Sequence, residues 1–90
     1  MRFEWDPAKA ASNKRKHGIT FEEAASCFED EHAWFYPDLG RPDRFVLIGL
    51  SNRERPVFTV HAERDGDRIR IISARLATKR ERRRYEEDED

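Results

Sequence analysis

Polar and apolar positions change period several times along the chain, and each change marks an element. Arg2-Phe3-Glu4-Trp5 alternates residue by residue, as a short edge strand does. Asp6-Pro7 follows, an N-cap residue with proline at the first helical position. This predicts a helix from Ala8 through His17, stopped by Gly18, with cationic residues in its last turn that complement the helix dipole. Thr20-Phe21-Glu22-Glu23 has the form of a capping box, and Phe21, Ala24, Ala25 and Phe28 recur at helical spacing. A second helix with one buried face is expected, fading near Glu29-Asp30.

From there the period drops to two. Ala33 to Tyr36 reads as a strand, Pro37 to Asp43 as a loop, and Arg44 to Leu50 (RFVLIGL) as the clearest strand of the chain. A turn at Ser51–Arg55 leads into a strand over Pro56–Glu63, and Asp65-Gly66-Asp67 makes a tight hairpin into a strand over Arg68–Arg75. On strict alternation Ile69, Ile71 and Ser73 share a face with Arg75, while Arg68 and Arg70 share the other with Ile72 and Ala74; a bulge would change that parity. Thr78-Lys79-Arg80-Glu81 repeats the capping-box pattern and opens a C-terminal helix through about Glu87. The order is β-α-α-β-β-β-β-α. This is an α+β fold: an antiparallel meander of three to four strands plus a short N-terminal strand, packed on two N-terminal helices, with a polar C-terminal helix on the other face. One domain over residues 1–87 and an acidic tail over 88–90 are expected.

Length bounds what such a domain does. A chain of 90 residues buries only about 60–65% of its unfolded surface, so its core is thin. A large enclosed substrate cavity is excluded, and a site belongs on an open sheet face, a groove or an interface. With 41% charged residues the chain could be disordered, but ten aromatic residues and sharp patterning argue for a folded domain. Cys27 is the single cysteine, which excludes an intrachain disulfide and fits a reducing, cytoplasmic setting. The first eighteen residues carry charges and no apolar run of the signal-peptide kind. Phe45–Leu50 is too short to span a bilayer, so no membrane association is expected.

The charge changes the picture most. The net charge is −1, which at first argues against a polyanionic partner. The charges are nevertheless partitioned. Residues 44–85 carry twelve Lys or Arg against five acids, and residues 21–43 carry one cation against seven acids. Residues 86–90 are all acidic and directly follow the basic helix, where they would shield it in the absence of a polyanion. Most of the basic residues are arginine, which suits bidentate phosphate contact. Arg82, Arg83 and Arg84 spread around about 200° of a helix and are mostly a solvated face. Arg64, Arg70 and Arg75 lie on or beside strands, where solvation alone explains them less well.

The chain has no CxxC, HExxH, GxSxG or phosphate-loop motif. Cys27 beside Phe28 reads as core. His17, His32 and His61 are too scattered to suggest a metal site, and no cofactor is expected. His61 stands three residues before Arg64, so a group titrating near neutrality would face a phosphate site. Cleaving RNA without a metal needs a base for the 2′-OH, cations for the charged phosphorane and an acid for the leaving 5′-oxygen. His61, Arg64, Arg75, Lys79, Arg80 and Tyr85 are residue types that supply these functions.

Two groups of motifs then carry a family resemblance. Phe3-Glu4-Trp5-Asp6-Pro7 with Lys9, Asn13, Lys16-His17-Gly18 and Phe21-Glu22-Glu23-Ala24 resembles the start of BrnT-type toxins. Arg68-Ile69-Arg70-Ile71-Ile72-Ser73-Ala74-Arg75, followed by Ala77-Thr78-Lys79-Arg80-Glu81-Arg82 and Tyr85-Glu86, resembles their end. The likeness spans Arg2 to Glu87. It implies a small RelE-like domain and a ribonuclease that cleaves mRNA, on or off the ribosome, and inhibits translation. It also implies a type II toxin–antitoxin module with a BrnA-like ribbon-helix-helix antitoxin, a heterotetrameric complex, and operator DNA contacted only through the antitoxin. Carried onto the matching positions, it implies His61 as base or acid and Arg64 and Arg75 on the scissile phosphate. Tyr85 would stack on a base or orient the phosphate, while Arg70, Lys79, Arg80 and Lys16 would hold the RNA backbone. The alternative is a non-catalytic toxin-like subunit acting as corepressor or nucleic-acid-binding partner.

Overall fold

The computed structural model describes residues 1–87; Asp88–Asp90, the expected acidic tail, lie outside the described residues. Strand β1 (Arg2–Glu4) leads into helix α1 (Pro7–His17) and helix α2 (Phe21–Ser26), which tightens into a 3₁₀ turn at Cys27–Glu29. Strands β2 (Trp34–Pro37), β3 (Phe45–Leu50), β4 (Pro56–Glu63) and β5 (Arg68–Leu76) follow, and helix α3 (Lys79–Glu87) closes the described chain.

The local signals act as their chemistry requires. The Asp6 side chain accepts the Ala8 N–H at 2.9 Å. Gly18 ends α1 in the left-handed region at φ 73°, where its N–H donates to the Lys14 carbonyl. Thr78 and Glu81 cap each other reciprocally, at 2.8 and 3.2 Å. Thr20 likewise accepts the Glu23 N–H. The Glu23 carboxylate, however, does not complete that capping box. It turns inward, accepts from Ser51 at 2.7 Å and from Arg55 Nε at 3.0 Å, and so ties α2 to the β3–β4 turn.

The sheet order is β1-β5-β4-β3-β2. The β2–β5 meander is antiparallel throughout, and β1 adds a parallel edge beside β5, so the sheet is mixed. One face carries α1 and α2 over a core of Ile19, Phe21, Ala24, Cys27, Leu47 and Ile71. There β3 passes close under the 3₁₀ turn: a Cβ on Gly49 would meet the Cys27 carbonyl oxygen at 3.0 Å, so only glycine fits without displacement. Beyond β1, the unpaired edge of β5 is completed by a side chain. Asn13 of α1 donates to the Ala74 carbonyl at 2.8 Å and accepts the Ala74 N–H at 3.1 Å, standing in for a neighbouring strand.

On the opposite face α3 seats Tyr85 against Val46 and Ile48. The Tyr85 hydroxyl donates to Asp30 at 2.6 Å, and Asp30 also accepts the Leu50 N–H at 2.8 Å. This anchors one end of α3 and leaves the β4–β5–β1 part of the face uncovered by helix.

Candidate nucleic-acid interface

Cross-strand pairing orders the open face into rows. Arg75, Phe58, Ile48 and Trp34 are register partners from β5 to β2, and Ser73, Val60, Val46 and Tyr36 form the next row. Then the register shifts between Val60 and His61, and Ile72 is the extra residue of β5. The bulge reverses the parity of everything before it. Ala62, Arg70 and Glu4 form a third row, which faces the same way as Arg75. Strict alternation would have separated Arg70 from Arg75; the bulge brings Arg68, Arg70 and Arg75 to one face and moves Ile69 and Ile71 to the other.

Each of the three β5 arginines on this face is held by a carboxylate. Glu4 accepts from Arg68 at 3.1 Å and from Arg70 at 3.2 Å, one anion between two cations. Arg75 lies 4.0 Å over the Phe58 ring. Its Nη1 and Nη2 donate to the two oxygens of Glu81 at 2.9 and 3.0 Å, and Nη1 also reaches the Leu76 carbonyl. The Glu81 bond raises the Arg75 pKa, and the Arg75 and Thr78 bonds outweigh burial to hold the Glu81 carboxyl below its usual range. The Nε–Nη2 edge of Arg75 keeps two N–H groups with no bond to the described residues, on a side chain 36% exposed. That edge is a planar fork of the shape that binds phosphate bidentately.

The other expected site residues fall into three groups. Lys79 and Arg80 are exposed on the first turn of α3, beside Glu81 and Arg75. Lys16 is exposed at the end of α1 and lines a shallow groove with Lys9, His17 and Ser73 that adjoins the second row at the β5 edge. Arg64 stands apart, in the β4–β5 turn against Asp67 and Arg68. It is six residues from Phe58 along β4, or roughly 20 Å from the Arg75 row.

Neither His61 nor Tyr85 is exposed. His61 is fully buried on the helix side of the sheet, its ring packed 4.9 Å from Phe28 and 6.0 Å from Phe45. Burial depresses its pKa to about 4, which the Thr59 main chain offsets only in part, so the ring is neutral at pH 7. Neither ring nitrogen has a hydrogen-bond partner of normal geometry among the described residues. The expectation that His61 faces a phosphate site is therefore corrected. Alternation along β4 puts His61 on the helix side with Val57 and Thr59, whereas its neighbour Arg64 is a surface residue of the turn. Tyr85 is 7% exposed, its ring on Val46 and Ile48 and its hydroxyl on Asp30, so it braces α3 rather than meeting a base.

Sequence reasoning passed over Glu4 and Glu81, which orient the arginines, and Phe58, which supports Arg75. The capping-box pattern at Thr78–Glu81 was the available signal for Glu81.

A five-stranded mixed sheet with α1 and α2 on one face, and α3 and a row of arginines on the other, matches a class: the ribonuclease toxins of type II toxin–antitoxin systems. A family model described as the ribonuclease toxin BrnT of such systems matches residues 5–81. The chain belongs to the BrnT family. The fold is also similar to the crystal structure of the Brucella abortus ribonuclease toxin BrnT. The TM-score is 0.73 at 25% identity, over 88% of this chain and 99% of that one. Among curated protein sequences nothing matches significantly. As a type II toxin the chain has an antitoxin partner. Among the described residues no helix is long and apolar enough to cross a membrane.

Proposed function

We propose that this toxin is a metal-independent endoribonuclease that acts on mRNA in the cytoplasm, arrests translation and is neutralised by a BrnA-like ribbon-helix-helix antitoxin. The observation that carries the reading is Arg75. Glu81 and the Phe58 ring fix its guanidinium, and its Nε–Nη2 edge keeps two donors for a phosphate. A preset cation is the type of group that stabilises a dianionic phosphorane without reorganisation.

In this reading the RNA backbone runs along the uncovered rows between α3 and the Arg68–Arg70 end of β5. Lys79 and Arg80 hold a phosphate flanking Arg75, where the first-turn N–H groups of α3 add to the positive potential. Arg70 and Lys16 hold the strand where it leaves the face on either side. Arg64 contacts RNA only beyond the cleavage centre. Attack of the 2′-OH on the phosphate forms the O2′–P bond and breaks the P–O5′ bond; solvent water takes the 2′-hydroxyl proton and supplies one to the leaving 5′-oxygen, giving a 2′,3′-cyclic phosphate and a 5′-OH. His61 contributes by filling the core beneath the sheet, and Tyr85 by holding α3 in place, so neither exchanges a proton with substrate.

Inducing the toxin alone and together with its antitoxin, followed by mapping of RNA ends, tests this. The expected result is growth arrest with new 5′-OH ends, both relieved by the antitoxin. An arrest without new RNA ends, or operator repression as the sole effect, contradicts it.

A further inference from the structure

Beside α3 the open face carries a groove of about 370 Å³, lined by Trp34, Tyr36, Leu39, Arg80, Glu81 and Arg84. Its size lies within the range of small-ligand sites, about 300–1,000 Å³. Trp34 and Tyr36 alternate along the edge strand and both face this side, with ring centroids 4.7 Å apart and planes tilted by 45°. Arg84 lies 4.3 Å over the Trp34 ring. Leu39 stands at the mouth at 99% exposure, an apolar side chain with no core to fill. Burial, with Glu81 next, raises the Tyr36 pKa, so its hydroxyl keeps its proton and stays a donor. Aromatic rings, a planar guanidinium and a cationic rim are the parts with which proteins stack unpaired bases, and they accept any base because each has a π face.

Position fixes the ligand class. Glu81, which lines the groove, is the carboxylate that clamps Arg75. Trp34 stands in the Arg75 row, three strands away, or about 14 Å. A short extended stretch of single strand covers that distance. The cations on the rim, Arg80 and Arg84, match a ligand that brings phosphates with its base, rather than an apolar peptide.

We propose that this groove is a nucleobase subsite, which takes one unstacked base of single-stranded RNA a few nucleotides from the phosphate at Arg75. The inference rests on the ribonuclease reading of the open face. It assigns Leu39 and Arg84 to substrate recognition and adds that role to Trp34, which also packs on the Val46–Ile48–Tyr85 cluster.

The test uses the full-length toxin and an uncleavable 2′-O-methyl RNA oligonucleotide, with single abasic nucleotides walked along its length. Wild-type protein is expected to lose about tenfold in affinity when the abasic nucleotide stands at one position and little elsewhere. Trp34→Leu and Leu39→Ser are expected to abolish that positional loss while keeping the salt dependence of binding. Leu39 is fully exposed, so Leu39→Ser keeps the test open if Trp34→Leu unfolds. Tight binding with no sensitive position, or a positional loss that survives Leu39→Ser, overturns the subsite and leaves the ribonuclease reading standing. No binding of the intact oligonucleotide at low salt overturns both. Loss of antitoxin binding in Leu39→Ser, with RNA binding unchanged, assigns the groove to the partner protein and overturns the proposal.

Discussion

The two faces of the sheet are built from the same strands and do opposite work. On the helix side, Leu47, Val57, Thr59, Ile71 and Ala74 are each at most 6% exposed. On the other side their neighbours Phe58, Val60, Ser73 and Arg75 are only half-buried. The closed face puts apolar surface out of water and supplies stability. The open face leaves partly exposed rings and paired guanidiniums, a poor way to stabilise a fold and a good way to bind a phosphate chain. The division depends on the bulge at Ile72. With an even register, Arg68 and Arg70 would point into the helix side and Ile69 and Ile71 into solvent. A single extra residue thus lets one strand supply both a core and a cationic row.

If this division holds, substitutions on the closed face change stability and those on the open face change turnover. Phe21→Ala gives the largest effect: Phe21 is fully buried against Trp5, and its loss costs about 3–5 kcal/mol by chemical denaturation. Arg75→Ala is next. It lowers RNA cleavage about 100-fold or more, while the melting temperature moves little, since the ion pair it breaks is half-exposed. An Arg75→Ala protein that loses stability but keeps turnover would reverse the roles of the two faces.

Glu23→Gln costs about 2 kcal/mol at neutral pH, because it weakens the buried carboxylate network with Ser51 and Arg55. The hydrogen bond from Arg55 lowers the Glu23 pKa despite burial. The unfolded chain therefore takes up a proton that the folded chain refuses, and this stabilisation falls away as pH drops through the carboxylate range. The variant's stability should depend less on pH there, as read by denaturation at several pH values.

His61→Leu gives the smallest change, under about 1.5 kcal/mol at neutral pH. His61 titrates at about 4 in the fold and near 6.5 when unfolded. Protonation thus favours the unfolded chain as pH falls from about 6.5 to about 4. The leucine variant should lose that part of the acid sensitivity and retain cleavage. A collapse of turnover with an intact fold would return His61 to the chemistry.

Much of this fold is written locally. Asp6-Pro7, Gly18, Thr20 and Thr78–Glu81 set element ends through contacts within a few residues, and alternation marks the meander strands. What depends on distant partners is not written there. Nothing in Arg2–Glu4 says that it lies parallel to β5, and nothing in Thr20–Glu23 says that its carboxylate finds Arg55, thirty-two residues on. The site was legible as a class of residues rather than as a geometry. Arg75, Lys79 and Arg80 do gather at one end of α3. Nearness in sequence to Arg64 groups His61 with them, but alternation along β4 buries His61 with Val57 and Thr59, and the turn exposes Arg64.

The central claim is that the open face cleaves RNA through positioned arginines. Its most direct test is a single-turnover cleavage assay with purified toxin and a short single-stranded RNA in excess EDTA, wild type beside Arg75→Ala. The account predicts cleavage by the wild type to 2′,3′-cyclic phosphate and 5′-OH ends, and loss of about 100-fold or more in the variant. Equal rates for the two proteins, or wild-type cleavage only after a divalent metal is restored, would contradict it.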